Sequence, residues 1–183
     1  MAFARGERSG MQAVAIVGMC MLAAVCYGIL HDQITARVCV EYFTVGHPPV
    51  FATEDPTLLG IGWGIIASWW VGLLLGIPLA VVACVGSRPR RSVGSLVRPV
   101  VYLLLVTGVC AWTAGVAGWL LASTGMVALV GPIAHILPPD RHIPYIAVKW
   151  AHSTSYLVGT IGGMIVILLV WRWRVRATAN PAV

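Results

Sequence analysis

Charge is what this chain has least of. Aspartate, glutamate, lysine and arginine make up 10% of its 183 residues, where a soluble domain carries about 25%. The apolar share is 59% and the mean hydropathy is +0.89. A soluble fold has no interior large enough for that much apolar surface, so a soluble domain is excluded.

The short motifs of common chemistries are missing as well. None of the five cysteines forms a Cys-x-x-Cys pair. There is no H-E-x-x-H or H-x-x-x-H spacing, no P-loop, no dinucleotide fingerprint and no G-x-S-x-G elbow. Ionisable residues are absent from the middle of every long apolar run, which argues against an ion pump or channel with a midplane acidic relay. No internal repeat is visible.

What is present is four apolar runs. A hydrocarbon core of about 30 Å takes about 20 helical residues to cross, and the spans are placed at 11–30, 57–85, 100–122 and 150–172. The fold class expected is an all-α, four-helix transmembrane bundle, one domain over 1–183. The first run has a basic start like a signal peptide, but it is long for one and no small-x-small site closes it. It is read as an uncleaved helix. With no early glycine or proline after it, this helix is expected to continue to about residue 44.

The net charge of +6 is distributed by side. Arg5, Arg8, Arg88, Arg90, Arg91, Arg98, Arg172, Arg174 and Arg176 flank the spans at one end, with Glu7 the one acid among them. That is the positive-inside pattern, with both termini cytoplasmic in a bacterial inner membrane. The basic residues are read as orientation signals and headgroup contacts, and nucleic acid is excluded as a partner.

Asp55-Pro56 marks a sharp helix start, and Pro78 is expected to kink the second span. Small residues at packing spacing, Gly72 with Gly76, Ala114 with Gly118 and Gly159 with Gly163, are expected to let helices approach closely. The stretch 124–137 is apolar but too short to cross, which suits a re-entrant or interfacial segment. With 31–56 and 123–149 it forms an outer polar cap.

All five histidines, His31, His47, His135, His142 and His152, fall on that outer side. Neutral imidazole with carboxylate is a ligand set for zinc, copper or iron. The candidates for a ligand or metal site are His31, Asp32, Glu41, His47 and His152, with His135, His142 and Tyr156 secondary. His31 and Asp32, neighbours on a helix, point about 100° apart, so each is expected to pair with another element. Arg37 and Glu41 are spaced for an i,i+4 pair. Tyr145, Lys149, His152 and Tyr156 share one helical face. The bland reading is that polar residues flanking a span are ordinary interfacial anchors.

The segments HDQITARVCVEYFTVGHPPVF, GWGIIASWWVGLLLGIPLA and DRH…WAHSTSYLVG together resemble an uncharacterised family of bacterial four-span integral membrane proteins. The resemblance implies the topology and carries no activity, cofactor or catalytic residue. Three functions are therefore expected from the residues. One is a membrane protein whose outward polar cluster binds a ligand or metal. Another is a metal- or haem-dependent redox enzyme using the same histidines. The third is a structural subunit held to a membrane-protein partner, or to copies of itself, by its glycine faces.

Overall fold

The computed structural model describes residues 2–179, with side chains from 10 to 178. Arg5, Glu7 and Arg8 lie outside the described side chains. The described chain is all-α. Its helices are α1 (Ala2–Val38), α2 (Glu41–Thr44), α3 (Pro56–Ile66), α4 (Trp69–Cys84), α5 (Val93–Ser123), α6 (Pro132–Ile136) and α7 (His142–Ala179), with a 3-10 turn at Pro139–Arg141. Four stretches are long and apolar enough to cross a membrane: Gly10–Val38, Pro56–Cys84, Val93–Ser123 and Pro139–Thr178. The fold is a four-helix transmembrane bundle. It consists of two hairpins, α1 against α3 and α4, and α5 against α7.

The helix boundaries follow local chemistry. Asp55 caps α3, accepting from the Thr57 and Leu58 N–H groups at 2.9 Å, with Pro56 in the first turn. Ser92 caps α5 by accepting from the Ser95 N–H. That cap starts α5 earlier than the expected residue 100, and Pro99 is carried inside the helix. The first helix stops at Val38 instead of about 44, and a separate short turn, α2, follows.

The second span is two helices, α3 and α4. Pro78 sits inside α4 without ending it, and the break falls at Ala67 and Ser68. There the ladder tightens to i→i−3 bonds, Ser68 N–H to the Ile65 carbonyl at 3.3 Å and Val71 N–H to the Ser68 carbonyl at 3.1 Å. The Ser68 hydroxyl fills the notch left by Gly28, where any Cβ would overlap it. The Tyr156 hydroxyl donates to the Ala67 carbonyl at 3.4 Å.

Glycine sets the spacing within the first hairpin. A Cβ on Gly64 would lie 2.5 Å from the Ile29 nitrogen, and one on Gly72 would lie 2.6 Å from the Cys20 carbonyl oxygen. Gly76 approaches Cys20 and Val17, and Gly60 faces the Asp32 backbone. In the second hairpin Gly118 packs on the Trp150 ring, and Gly115, next to half-buried Ala114, approaches Ala147 and Ala151. Gly163 receives the Leu75 side chain. Gly159 departs from the expected packing role: its nearest neighbour, Thr107 Cγ2, is 4.0 Å from a built Cβ, and the residue borders a cavity.

At the basic end, Arg174 is buried, with 4% exposure. Its guanidinium donates to the carbonyls of Val82, Val85, Arg88 and Pro89. A fixed cation thereby closes the C-terminus of α4 and the loop after it, where helix carbonyls lack partners. Arg91 lies over the Trp173 ring, 2.9 Å from its centroid. Beneath them Ile16, Leu79, Ala83, Leu96 and Val170 form the main apolar core.

The opposite end is closed by the segment 124–137. Leu129, Ile133 and Leu137 pack on Cys39, Tyr145 and Val148, so this stretch lies across the ends of α1 and α7. Gly125 (φ 75°) and Gly131 (φ 83°) make its turns, in a conformation that other residues rarely adopt.

Candidate metal centre

Three side chains from the two hairpins meet below this cap. His31 and Asp32 come from α1 and His152 from α7. Each offers a ligand atom, and these atoms lie within 4.8 Å of one another. His152 Nε2 stands 3.7 Å from Asp32 Oδ1. The His31 and His152 rings meet edge to face, with centroids 4.6 Å apart. Neighbours in sequence, His31 and Asp32 thus reach the same partner. Asp32 is 3% exposed and His152 9%.

The site lies about 30 Å from the basic end. Roughly 20 helical residues separate Arg172 from His152, which is the depth of a hydrocarbon core. That separation matches the thickness of one apolar layer.

Aromatic rings and hydroxyls surround it. Thr35 Oγ1 is 3.1 Å from His152 Nε2 and 3.2 Å from the His31 carbonyl, to which it can donate. Tyr42 lies against His152, ring centroids 4.5 Å apart, and Phe43 approaches at 5.6 Å. Tyr27 stacks on His31 at 5.7 Å, and its hydroxyl is 2.8 Å from Ser155 Oγ. Two polar demands remain. His31 Nε2 is buried with no hydrogen-bond partner. Among the described residues, the one ion-pair partner of Asp32 is His152. A buried carboxylate is costly unless paired or bound to a cation.

The other expected ligands go elsewhere. Glu41 does not join the cluster. Both its oxygens accept from the Arg141 guanidinium at 2.7 Å, and Cys39 Sγ donates to it at 3.3 Å. The Arg141 bond holds the Glu41 carboxyl below its ordinary value, and burial pushes the Cys39 thiol up to about 11. The expected Arg37–Glu41 pair does not form, because the helix ends between them. Arg37 bonds instead to Gln33 and to Thr57 Oγ1.

His47 stands one ring away. Its Nδ1 is 2.7 Å from the Tyr42 carbonyl, and its ring packs on Tyr42 and Trp63. His142 Nε2 bonds the Leu137 carbonyl at 3.0 Å, and His135 is exposed on α6. The expected face of α7 divides: Tyr145 and His152 are buried and Lys149 is exposed. Tyr156 borders the same cavity as the cluster.

That cavity, about 130 Å³, runs from the cluster toward the basic end between α1, α4, α5 and α7, past Gly72, Gly159 and Gly163. Small-molecule pockets usually measure about 300–1,000 Å³, so it is narrow. Thr35 stands four residues after His31 on α1 and so shares its face. Ser155 and the Gly60–Gly64 pair carried no signal that set them apart from the other small residues of their helices.

Comparison of the chain with protein-family models, with curated proteins and with solved structures found no match.

Proposed function

We propose that this is a bacterial inner-membrane protein, with both termini cytoplasmic, whose His31–Asp32–His152 cluster binds a divalent transition metal. The observation that carries this reading is the convergence of three ligand atoms within 4.8 Å around one buried carboxylate. Ligand atoms of a tetrahedral zinc stand about 3.4 Å apart, given metal–ligand bonds of about 2.0–2.1 Å. The Asp32–His152 separation of 3.7 Å is already close to that, so closing on an ion takes a shift of side chains alone. Two imidazoles and one carboxylate suit zinc, iron or copper. The edge-to-face contact of the two rings leaves no room for a porphyrin between them, so the reading is a mononuclear ion and not haem.

Three protein ligands leave a fourth tetrahedral position open, the arrangement of catalytic and not of structural zinc. The orientation rests on the arginines that crowd the end of the bundle opposite the cluster. The test is elemental analysis of protein purified in mild detergent, beside His31→Ala and His152→Ala variants. One metal per chain in the wild type, falling at least tenfold in both variants, is the expected result. Equal metal content in all three would sink the proposal.

A further inference from the structure

We infer that the cluster is served from the side, through a groove in the bundle wall, by a neutral membrane-soluble amphiphile: an apolar chain or ring bearing a hydroxyl or carbonyl oxygen. The inference rests on reading His31–Asp32–His152 as a binding centre.

A groove of about 890 Å³ separates α1 from α5 and is floored by Ala147, Val148 and Ala151 of α7. It exists because α1 packs chiefly on α3 and α4 while α5 packs chiefly on α7, so the two helices face each other across a gap. Its size is that of a ligand pocket and not of a packing defect. His31 and Tyr27 border both this groove and the inner cavity. They stand between the lateral opening and the Asp32–His152 pair, which borders the inner cavity alone.

The chemistry of the occupant follows from what lines the groove. No Lys, Arg, Asp or Glu borders it. A phosphate headgroup would find no cation there, and a carboxylate would approach buried Asp32. A bare alkane would leave His31 Nε2, buried and without a partner, still unsatisfied. A neutral oxygen meets that need, either hydrogen-bonded to the ring once His31, which borders the groove, turns its enclosed Nε2 outward, or in the open position of a metal held beside it. In the proposed orientation the cluster lies at the edge of the hydrocarbon layer, which is also where the polar end of such a molecule rests.

The test uses the full-length protein in phosphatidylcholine nanodiscs. The probe is dodecanol carrying bromine at its tail, since bromine quenches tryptophan emission on contact and Trp112 and Trp119 line the groove. Saturable quenching is expected, and it should weaken roughly tenfold or more in His31→Phe. It should weaken similarly in Gly108→Leu, which fills the groove where a Cβ meets only Tyr27, at 3.7 Å. Bromododecane and a bromine-tailed dodecyl phosphate should give no saturable component. Unbrominated dodecanol and a decyl-benzoquinone serve as competitors. Displacement by either supports the inference, and the better one tells a hydroxyl head from a carbonyl head. Saturable quenching by bromododecane equal to that by the alcohol, or retained in full in His31→Phe, would overturn it. Metal is measured on the same samples. Metal-free protein that binds the alcohol through His31 removes the metal and leaves this inference standing. Metal-loaded protein without head-dependent quenching removes this inference alone.

Discussion

Oδ1 of Asp32 on the first helix lies 3.7 Å from Nε2 of His152 on the last, and Thr35 Oγ1 touches the same nitrogen at 3.1 Å. That nitrogen is also the one facing Asp32, so the hydroxyl and a bound ion would compete for its lone pair. Thr35→Val keeps the shape and removes the hydroxyl. With that competitor gone, this variant should bind zinc at least as tightly as the wild type, while the metal-free protein loses about 1 kcal/mol from the missing hydrogen bond. Zinc titration with a competing chelator measures it. Weaker zinc binding would show that Nε2 is not the coordinating nitrogen and that the hydroxyl orients the ring from behind.

The Glu41–Arg141 pair gives the distal end a pH dependence. The arginine holds the Glu41 carboxyl below its ordinary 4.5, so the pair's contribution is complete above that value and is lost as pH falls through the lower, folded one. Both groups are partly exposed, which limits a bidentate pair of this kind to about 1 kcal/mol. Glu41→Gln should lower the unfolding midpoint at pH 7 and leave it nearly unchanged near pH 3. An equal deficit at both pH values would contradict the assignment.

Arg174 satisfies four carbonyls at once. Arg174→Met removes the donor that all four share, and hydrogen bonds to charged groups are worth about 1.5–3 kcal/mol each before compensation by water, which can reach the exposed loop residues Val85, Arg88 and Pro89. A net loss of about 2–4 kcal/mol is expected. Arg174→Lys should recover only part of it, since an ammonium lacks the planar fork. Hydrogen exchange in residues 85–92 should speed up in both variants.

The glycine contacts separate packing within the chain from packing between chains. Gly64→Ala would place a methyl 2.5 Å from the Ile29 nitrogen, and overpacking of this kind costs about 1–3 kcal/mol. Gly18→Ala meets nothing within 4 Å and should be neutral or slightly stabilising. Thermal unfolding in detergent compares them. A loss of stability in Gly64→Ala at every protein concentration marks the contact as intramolecular.

Much of this architecture was legible in the sequence because bilayer thickness fixes span length and the Asp55-Pro56 pair fixes a helix start. His31, Asp32 and His152 were legible as candidates because charge and imidazole are scarce in so apolar a chain. Glu41 was misplaced for a definite reason. Its spacing from Arg37 counts as a pair only on a continuous helix, and the helix ends at Val38. The break at Ala67–Ser68 was hidden behind Pro78, the more conspicuous residue. Its cause is a fit between Ser68 and Gly28 on another helix, and pairings at that separation leave no local pattern. The lateral groove was equally invisible, since it is a gap between two helices whose partners are elsewhere.

The two-hairpin construction has a consequence for assembly. His31 and Asp32 belong to one hairpin and His152 to the other, so the centre does not exist until the halves have docked. An ion held by all three is a clasp: its binding energy is also docking energy, available only to the closed form. Under the metal-binding proposal, occupancy would therefore add to the docking of the two halves. The shared core of Ile16, Leu79, Leu96 and Val170 and the Arg174 bonds join the same halves at the other end of the bundle, so loss of the ion would loosen the histidine end first.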